Sequence, residues 1–346
     1  MEHYKVALFY DSYGRPNTGG TTVRPHNLVK MLLKFQIDFT IFSLNAPHPE
    51  YNIPGKIRNL SQFNPREYNV FWVENSFRAK DVLTKFGILP IYGTNIIPNS
   101  FPQHALPYIN DVDKSRQERS RVRERQVIKS YKGKFWLSQS DFQEKEYRKL
   151  GLPYNIPVMR APNPVDISLF HPPIEKPKEF IIGWTGKYNS AKKPEFLQKI
   201  ASRFPEVTFY CFSDNEIPLE FTSNVKMMIR KTNKEVASLL RKCSAFISTS
   251  ITDNQPLGVL EAMATALPVV GFRTSGMPEI ISHGQTGFLV DLGNIEHFIV
   301  EIERLLLGYY DLRQIKCNAR MFIMDNFSEE ACIKQYIEIF KEYLER

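Results

Sequence analysis

Closely spaced cysteines and long apolar runs are both missing from this chain of 346 residues. Its four cysteines, Cys211, Cys243, Cys317 and Cys332, form no CxxC pair and have no histidine at a metal-ligand spacing. No stretch reaches the roughly 18 apolar residues that a membrane-spanning helix needs, and the charged start MEHYKVALFYDS lacks the apolar core of a signal peptide. We therefore expect a cytoplasmic protein whose cysteines are reduced packing residues.

Short repeats, low-complexity segments, a GxGxxG fingerprint and a P-loop are also absent from the sequence. Hydrophobic residues make up 42% of the chain and aromatic residues 13%, which indicates a folded globular protein rather than a disordered one. A chain of this length suits two domains of about 150 residues each.

Acidic residues are in the minority, with 37 Asp and Glu against 45 Lys and Arg, for a net charge of +8. The excess is concentrated in KSRQERSRVRERQVIKSYKGK, from Lys114 to Lys134, which predicts a basic helix. A solvated helix face explains such a run most simply, while peripheral contact with an anionic membrane or a polyphosphate ligand would also suit it. Nucleic acid is not expected as a partner, since the run lacks interleaved aromatic residues and no reading helix accompanies it.

Strand-like and helical patterns alternate along the whole chain, beginning with YKVALFYDS, HNLVKMLLKF and DFTIFSL. This alternation predicts an α/β fold with parallel sheets that helices cover on both faces. The proline-rich stretch 153–180 is typical of an interdomain connection, and a second alternating series starts at FIIGWTG. We expect an N-terminal domain over residues 1–165, a second domain over 166–325 and a terminal amphipathic helix over 326–346.

The most informative stretch is DNQPLGVLEAMATALPVVG, which begins at Asp253 and has the pattern of a turn that leads from a strand into a helix. The first turn of such a helix presents unpaired backbone N–H groups, and its dipole favours a negatively charged group such as a diphosphate. Glu261 lies one turn further along, within reach of a ribose, so the stretch predicts a site for a sugar nucleotide. The predicted backbone donors are the N–H groups of Leu257, Gly258 and Val259.

Basic residues follow the strand-like run FIIGWTG that opens the second half of the chain. Open α/β sheets bind ligands at the carboxyl ends of their strands, and cations there can neutralise the charge of a departing diphosphate. Surface lysines of an ordinary loop are the alternative explanation. The candidate residues of this loop are Gly186, Lys187, Lys192 and Lys193.

The first half of the chain carries weaker signals. Adjacent glycines, Gly19 and Gly20, lie between the first strand and the first helix, where they could let the backbone approach a ligand or simply form a flexible turn. Several polar residues are candidates for the acceptor side, although each also suits a structural role. These acceptor-side candidates are Arg24, His26, Asn95 and His104.

The run from Asp253 to Val290 resembles the signature of retaining nucleotide-sugar glycosyltransferases of the GT-B architecture, family 4, or glycosyl transferases group 1. In that signature an acidic residue, seven residues and a Glu precede segments like LPVV, G-x-PE-I and TGFLV. The stretches APNPVDISLFHPP, GKYNSAKKPE and NFSEEACIKQY resemble further segments of the family, so the likeness is strong over the second half and weak over the first. It implies two Rossmann-like α/β/α domains facing across a cleft, with the terminal helix crossing back to the first domain.

Carried over residue by residue, the resemblance implies that Lys187 and Lys192 neutralise the donor diphosphate, while Asp253 binds the donor sugar. Glu261 would bind the ribose hydroxyls, and the backbone around Leu257 and Gly258 would bind the phosphates. Gly19 and Gly20 would let the donor approach the first domain.

The sequence departs from the family pattern at the sugar end of this site. Asp253 replaces the usual Glu and is one methylene shorter, and Lys187 replaces the usual Arg, which loses a bidentate fork. Pro256 stands in a turn where Gly-Phe-Gly is common and removes one possible N–H donor. These changes either retune the donor or weaken the enzyme.

Together these features predict an enzyme that moves a sugar from a nucleoside diphosphate to a hydroxyl of a glycan or lipid-linked acceptor. Retention at the anomeric carbon is implied by the family alone. We expect no cofactor beyond the nucleotide sugar and no metal, although Asp111 and Asp113 have the Asp-x-Asp spacing of metal-dependent sugar transferases of another fold. The alternatives are a sugar-nucleotide epimerase or hydrolase of the same architecture, or a nucleotide-sugar-binding protein with impaired catalysis.

Overall fold

The computed structural model describes residues 3–11, 13, 20–45, 47, 49–74, 77–92, 101–131, 133, 135–175, 177–229 and 231–345, with only the backbone at 20–23, 50, 77 and 80. The chain divides into two compact units. Unit 1 consists of Met1–Phe101, Lys114–Pro164 and Glu329–Arg346, and unit 2 of Pro102–Asp113 and Val165–Ser328. The segment Pro102–Asp113 therefore groups with unit 2, whereas the sequence pattern had placed it in the first domain.

The main sheet of unit 1 has five parallel strands in the order β3-β2-β1-β4-β5. All residues of β1 and β2 except the first of each strand are buried, which is the pattern of parallel strands covered on both faces. The strands are β1 (Lys5–Tyr10), β2 (Asp38–Ser43), β3 (Ile57–Asn59), β4 (Val70–Val73) and β5 (Ile91–Tyr92).

The helices in the first half of the chain confirm the predicted alternation, and the last of them, α4, lies between the two strands of a separate parallel pair. The second strand of that pair lies inside the proline-rich stretch that we expected to be irregular. The helices are α1 (Gly20–Lys34), α2 (Phe77–Lys85), α3 (Asp111–Lys129) and α4 (Asp141–Lys149), and the paired strands are β6 (Trp136–Ser138) and β7 (Val158–Arg160).

Unit 2 is built around six parallel strands in the order β10-β9-β8-β11-β12-β13. Successive residues face opposite sides of this sheet, so Ile181 belongs to one apolar cluster and Ile182 to another. The strands are β8 (Ile181–Thr185), β9 (Thr208–Ser213), β10 (Val225–Ile229), β11 (Ala245–Ser248), β12 (Val269–Phe272) and β13 (Phe288–Val290).

The helices of unit 2 cover both faces of its sheet, and α7 is the most central of them. Every residue of α7 from Val259 to Ala264 is buried, which suits a helix that is apolar all round except at Glu261. These helices are α5 (Pro194–Ala201), α6 (Asn233–Leu240), α7 (Leu257–Ala264), α8 (Met277–Ile280), α9 (Ile295–Leu306) and α10 (Leu312–Phe327).

The last helix, α11 (Glu329–Glu345), packs in the core of unit 1. Its Tyr336 ring stacks on Trp72 of β4 with centroids 5.5 Å apart, and Lys34 of α1 lies 2.7 Å from the carboxylate of Glu329. The prediction that the terminal helix returns to the first domain is therefore confirmed.

The four cysteines are free thiols, as predicted, but they are not all packing residues. Cys211, Cys243 and Cys332 are buried, whereas Cys317 is exposed on α10. Burial raises the pKa of Cys211 and of Cys243 to about 12, so these two thiols stay protonated and apolar in character.

Candidate functional site

The predicted donor residues of the second half lie where the strand order of unit 2 reverses, between β8 and β11. Open parallel sheets bind ligands at such a point because the loops that follow the two strands diverge there. The β8–α5 loop supplies Lys187 and Lys192, while the loop after β11 and the first helix beyond it supply Asp253 and Glu261. The Nζ atom of Lys192 lies 2.6 Å from Oδ2 of Asp253, so two residues from opposite sides of the crevice form an ion pair.

The β8–α5 loop is held in place by the end of β11. Trp184 Nε1 donates to Thr249 Oγ1 at 2.7 Å, and Thr249 Oγ1 donates to the carbonyl oxygen of Lys192 at 2.7 Å. The backbone N–H of Ile251 adds a bond of 2.8 Å to the carbonyl of Ala191. These bonds fix the backbone of Lys192 against β11, which explains how its ammonium group reaches Asp253.

Lys187 forms the second cationic position of this loop. Its Nζ lies 3.5 Å from Oδ2 of Asp214, and both side chains are about one-third exposed, at 33% and 34%. Burial lowers the pKa of Lys187, and Asp214 opposes that shift. Asp214 directly follows β9, and the sequence pattern gave no signal for it beyond its place after a strand.

Lys193, which we predicted to bind the donor, has a different environment from Lys192. Its backbone is left-handed, with φ 48°, and it precedes the first residue of α5. Its Nζ lies over the ring of Phe196, 6.0 Å from the centroid. The structure therefore separates the two adjacent lysines, and Lys192 is the one that faces the acidic loop.

Both predicted glycines of unit 2 are closely packed, Gly186 more tightly than Gly258. A Cβ atom on Gly186 would lie 2.3 Å from the ring of Trp184, and one on Gly258 would lie 3.0 Å from Cβ of Thr185. The close approach at Gly258 brings the first turn of α7 against the end of β8, next to the lysine loop. A larger residue there would push the helix start away from the site.

The start of α7 offers fewer free donors than we predicted. Pro256 is its N-cap residue and provides no side-chain cap, but its carbonyl accepts a bond of 3.1 Å from the N–H of Val259. The prediction of a free N–H at Val259 is therefore wrong, because the first turn is tightened onto Pro256. Among the described residues, no hydrogen bond uses the N–H of Leu257 or Gly258, so these two stay candidates for binding an anion.

Glu261 lies one turn inside α7 and is 7% exposed. Burial raises its pKa to about 8, and no described residue gives the carboxyl a compensating charge or hydrogen bond. A carboxyl group held without a partner at the edge of a ligand crevice is suited to bind polar groups such as ribose hydroxyls.

Two buried hydroxyl groups at this edge of the sheet were not predicted from the sequence. Thr185 Oγ1, at the end of β8, and Ser213 Oγ, at the end of β9, have no hydrogen-bond partner among the described residues. Buried polar atoms are nearly always paired, so unpaired atoms beside a cation loop indicate groups available to a ligand. Sequence patterns could not reveal them, because pairing depends on residues that are distant in the chain.

The candidate residues predicted in the first half of the chain differ in where the structure places them. Arg24 is 2% exposed, and its NH1 lies 2.7 Å from Oε1 of Glu74, which is fully buried. The acceptor role predicted for Arg24 is therefore corrected to a core role, because its guanidinium is enclosed by α11, β1 and β4. Gly19 and Asn95 lie outside the described residues, and for Gly20 only the backbone is described, as the first residue of α1.

Both candidate histidines are engaged in hydrogen bonds. His26 is 8% exposed, its Nδ1 lies 3.0 Å from the hydroxyl of Tyr13, and burial lowers its pKa to about 4. His104 is exposed, and its Nε2 lies 3.0 Å from Oγ1 of Thr274 in unit 2. The structure thus places His26 in the interior of unit 1 and His104 within unit 2.

Asp111 and Asp113, the Asp-x-Asp pair, lie in the first turn of α3. Asp113 accepts a hydrogen bond from the hydroxyl of Ser190, and acidic residues at a helix start are favoured by the helix dipole. Within the described part of the chain, no group of three or more His, Cys, Asp or Glu side chains is placed to hold a metal ion.

The basic run from Lys114 to Lys134 forms α3 as far as Lys129, as predicted. Gln117, Glu124 and Ile128 face the protein interior, while most of the basic side chains are exposed. Contact of this exposed face with an anionic membrane stays a prediction. A search of the described helices finds none with the length and apolarity needed to cross a bilayer.

Comparison with known proteins identifies residues 179–308 with the family model described as Glycosyl transferases group 1. N-acetyl-alpha-D-glucosaminyl L-malate synthase of Bacillus anthracis is 32% identical over 109 residues, which cover 32% of this chain and 29% of that protein. UDP-Gal:alpha-D-GlcNAc-diphosphoundecaprenol alpha-1,3-galactosyltransferase of Escherichia coli is 26% identical over 169 residues, covering 42% of this chain and 44% of that protein. The matched segments thus span less than half the length of these relatives.

Solved structures match almost the whole chain. Anabaena HepE in complex with UDP-glucose superposes with a TM-score of 0.75 at 16% identity, covering 98% of this chain and 100% of that one. Sucrose-phosphate synthase from Thermosynechococcus elongatus gives a TM-score of 0.77 at 14% identity, covering 98% of each chain. The chain therefore has the GT-B fold of glycosyltransferases, with a glycosyl transferases group 1 domain in residues 179–308.

Proposed function

We propose that this protein is a glycosyltransferase that moves a sugar from a nucleoside-diphosphate sugar to an acceptor hydroxyl in glycan or glycolipid synthesis. The observation that carries the proposal is the ion pair of Lys192 with Asp253 at the point where the strand order of unit 2 reverses, just before the helix that carries the buried Glu261. The loops and the helix that follow β8 and β11 thus supply cations, helix N–H groups and a buried carboxyl, which are the groups that the diphosphate and ribose of such a donor require.

The positive groups of the crevice are assigned to the charge that develops on the departing diphosphate. The bond from the anomeric carbon to the diphosphate oxygen breaks, and Lys187, Lys192 and the N–H groups of Leu257 and Gly258 stabilise the negative charge that develops on the diphosphate. The acceptor oxygen bonds to the anomeric carbon, and its proton passes to the departing phosphate oxygen. These protein groups can provide the stabilisation without a metal ion, so we propose a metal-independent reaction.

Retention of the anomeric configuration is part of the proposal. It requires the acceptor to attack from the face that the diphosphate leaves, which the likeness to retaining family 4 enzymes supports. Asp253 is the acidic residue that contacts Lys192 of the lysine loop, and in this structure it is held by that ammonium group. A diphosphate beside Lys192 would compete for that ammonium group and leave Asp253 free to accept a hydrogen bond from a sugar hydroxyl.

Transfer is favoured over the alternatives of epimerisation or hydrolysis. The curated relatives named above are a synthase and a galactosyltransferase. UDP-glucose is the first donor to test, since the HepE structure was solved with that molecule.

A donor panel tests the proposal. UDP-glucose, GDP-mannose and ADP-glucose are each titrated in a thermal-shift assay, and transfer to an acceptor is then followed by release of the nucleoside diphosphate. We expect one nucleotide to raise the melting temperature by several degrees, because ligand at about 100 times its Kd adds about 2.7 kcal/mol. Proton NMR of the product reports the anomeric configuration. Failure of all three donors to stabilise the protein would exclude the donor site.

A further inference from the structure

The segment Pro102–Asp113 joins two parts of unit 1 along the chain, yet it packs within unit 2. It is fastened to loops that follow three different strands. Tyr108 donates a hydrogen bond of 2.7 Å to the carbonyl of Leu292 after β13, and Asp113 accepts one from Ser190 after β8. A Cβ atom on Gly293, whose φ is +80°, would lie 2.2 Å from the Tyr108 ring, so the tyrosine is seated closely against that glycine.

The third attachment, between His104 and Thr274, has a defined direction. Thr274 Oγ1 donates its hydrogen to the carbonyl of Ile251 at 2.8 Å, and Ser275 Oγ donates to Thr252 Oγ1 at 2.9 Å. A threonine hydroxyl has one hydrogen, so towards His104 it acts as an acceptor. The Nε2 atom of His104, 3.0 Å away, is therefore the protonated donor nitrogen.

The loop that receives His104 also holds the sugar end of the donor site. Ile251 and Thr252, which accept from Thr274 and Ser275, directly precede Asp253. The N–H of Gly276 donates to the carbonyl of Asp253 at 2.9 Å, and a Cβ atom on Gly276 would lie 1.8 Å from the carbonyl oxygen of Asn254. The loop Thr274–Gly276 is thus the surface on which the loop Thr252–Gln255 rests.

We propose that His104 is a positioning residue of the donor site. Its Nε2–H fixes the Thr274 hydroxyl, Thr274–Gly276 fixes Thr252–Gln255, and Asp253 is thereby held at the orientation in which it meets the donor sugar. The identity of the ligand in this inference rests on the proposed function. The link from His104 to Asp253 rests on the hydrogen bonds described above. It also moves His104 from the acceptor side, where the sequence suggested it, to the donor side.

Hydrogen exchange tests the structural link without any ligand. The amide of Gly276 is the reporter, because its N–H bonds to Asp253. We expect His104→Ala in the full-length protein to speed exchange of this amide about tenfold, as a local opening of the loop would. His104→Gln, which keeps an N–H donor, should restore protection. Tyr108→Phe is the matched control, since it releases the same segment from Leu292 and leaves the His104 bond in place. Unchanged protection of Gly276 in His104→Ala would overturn the inference.

Titration calorimetry then tests the link to the sugar. For UDP-glucose, GDP-mannose and ADP-glucose, the affinity of each nucleotide sugar is compared with that of its nucleoside diphosphate. We expect His104→Ala to lower the ratio of these two affinities about tenfold, while the affinity for the nucleoside diphosphate stays unchanged. His104→Gln should restore the ratio. If the wild type binds no nucleotide, the proposed function is wrong. If the wild type binds and His104→Ala keeps the full contribution of the sugar, only the role of His104 is wrong.

Discussion

The two sheets of this protein place opposite charges at equivalent topological positions and use them differently. In unit 1, Arg24 follows the first strand and Glu74 follows the strand beside it, with an ion pair of 2.7 Å and side-chain exposures of 2% and 0%. In unit 2, Lys192 and Asp253 occupy the corresponding loops, with an ion pair of 2.6 Å and exposures of 25% and 21%. The distances are alike, so burial and surroundings account for the difference between the two sites.

The unit 1 pair has further hydrogen bonds within the protein, although Nε of Arg24 has no partner among the described residues. Trp72 Nε1 donates to Glu74 at 2.8 Å, and α11 brings the hydroxyl of Tyr336 to 3.5 Å from Arg24. The unit 2 pair is partly exposed, and the described residues give no partner to the hydroxyl of Thr185 at the end of the neighbouring strand β8. A sheet edge of one topology can therefore hold a core together or present groups to a ligand, depending on whether neighbouring helices close over its charges.

Breaking the buried ion pair of Arg24 and Glu74 should give the largest loss of stability. Arg24→Met leaves Glu74 charged and enclosed, so we expect the free energy of unfolding to fall by about 3–5 kcal/mol. Urea denaturation followed by tryptophan fluorescence measures this loss. The double substitution Arg24→Met with Glu74→Leu should recover most of it, because it leaves no isolated charge. A loss below about 1 kcal/mol in the single variant would mean that the pair is not buried as described.

Removing the corresponding cation of unit 2 should affect catalysis. We expect Lys192→Ala to lower kcat by about 10²–10³, the effect of removing one group that stabilises transition-state charge. Its effect on stability should be small, since the ion pair with Asp253 is partly exposed. Lys199→Ala, an exposed lysine on α5, is the matched control and should keep the wild-type rate. Equal rates in both variants would remove Lys192 from the reaction.

The buried carboxyl of Glu261 predicts a pH-dependent stability. Its pKa in the folded protein is about 8, above the ordinary value of 4.5, so between these values the folded state binds a proton that the unfolded state has lost. This contribution is fully present below the unfolded pKa and is lost as the pH rises through the folded pKa. We expect Glu261→Gln, which cannot ionise, to melt roughly 2–4 °C or more above the wild type at about pH 9 and to differ less at about pH 5.

The control for this measurement is Glu220→Gln, because Glu220 is an exposed residue of unit 2. Its melting temperature should follow the wild type over the same pH range. A parallel change in Glu261→Gln and Glu220→Gln would show that burial of Glu261 does not drive the pH dependence.

Removing the hydroxyl of Thr185 should give the smallest effect, a modest loss of nucleotide affinity. Valine has nearly the same shape, so Thr185→Val removes the hydroxyl and leaves the packing against Gly258 intact. We expect unchanged or slightly higher stability, together with a loss of nucleotide affinity of about 2–10-fold, as for one neutral hydrogen bond. Thermal melting and calorimetry on the same samples separate these effects. Lower stability with unchanged affinity would indicate a structural bond instead.

The sequence predicted the parts of this molecule that depend on local patterns. Alternating apolar runs identified the main strands, and the lysine loop and the acidic turn were expected at carboxyl ends of strands, where Lys192 and Asp253 are found to meet. Arg24 was misjudged because its partner lies 50 positions away, and no periodicity shows that α11 closes over it.

The remaining differences also arise from tertiary contacts. The N–H of Val259 is paired because the first turn of α7 tightens onto Pro256, a detail of backbone geometry that composition does not specify. The segment Pro102–Asp113 joins unit 2 through single polar contacts such as that between His104 and Thr274. Contacts of this kind have no sequence signature, since the partners lie in distant loops.

We infer that the unit 2 crevice, and not its counterpart in unit 1, binds a nucleoside diphosphate through Glu261. Titration calorimetry of UDP, GDP and ADP into wild-type protein and Glu261→Ala tests it most directly. For the nucleotide that binds the wild type most tightly, we expect a Kd about tenfold higher in Glu261→Ala, as for the loss of one or two hydrogen bonds to the ribose. An unchanged Kd in Glu261→Ala would show that Glu261 does not bind the nucleotide.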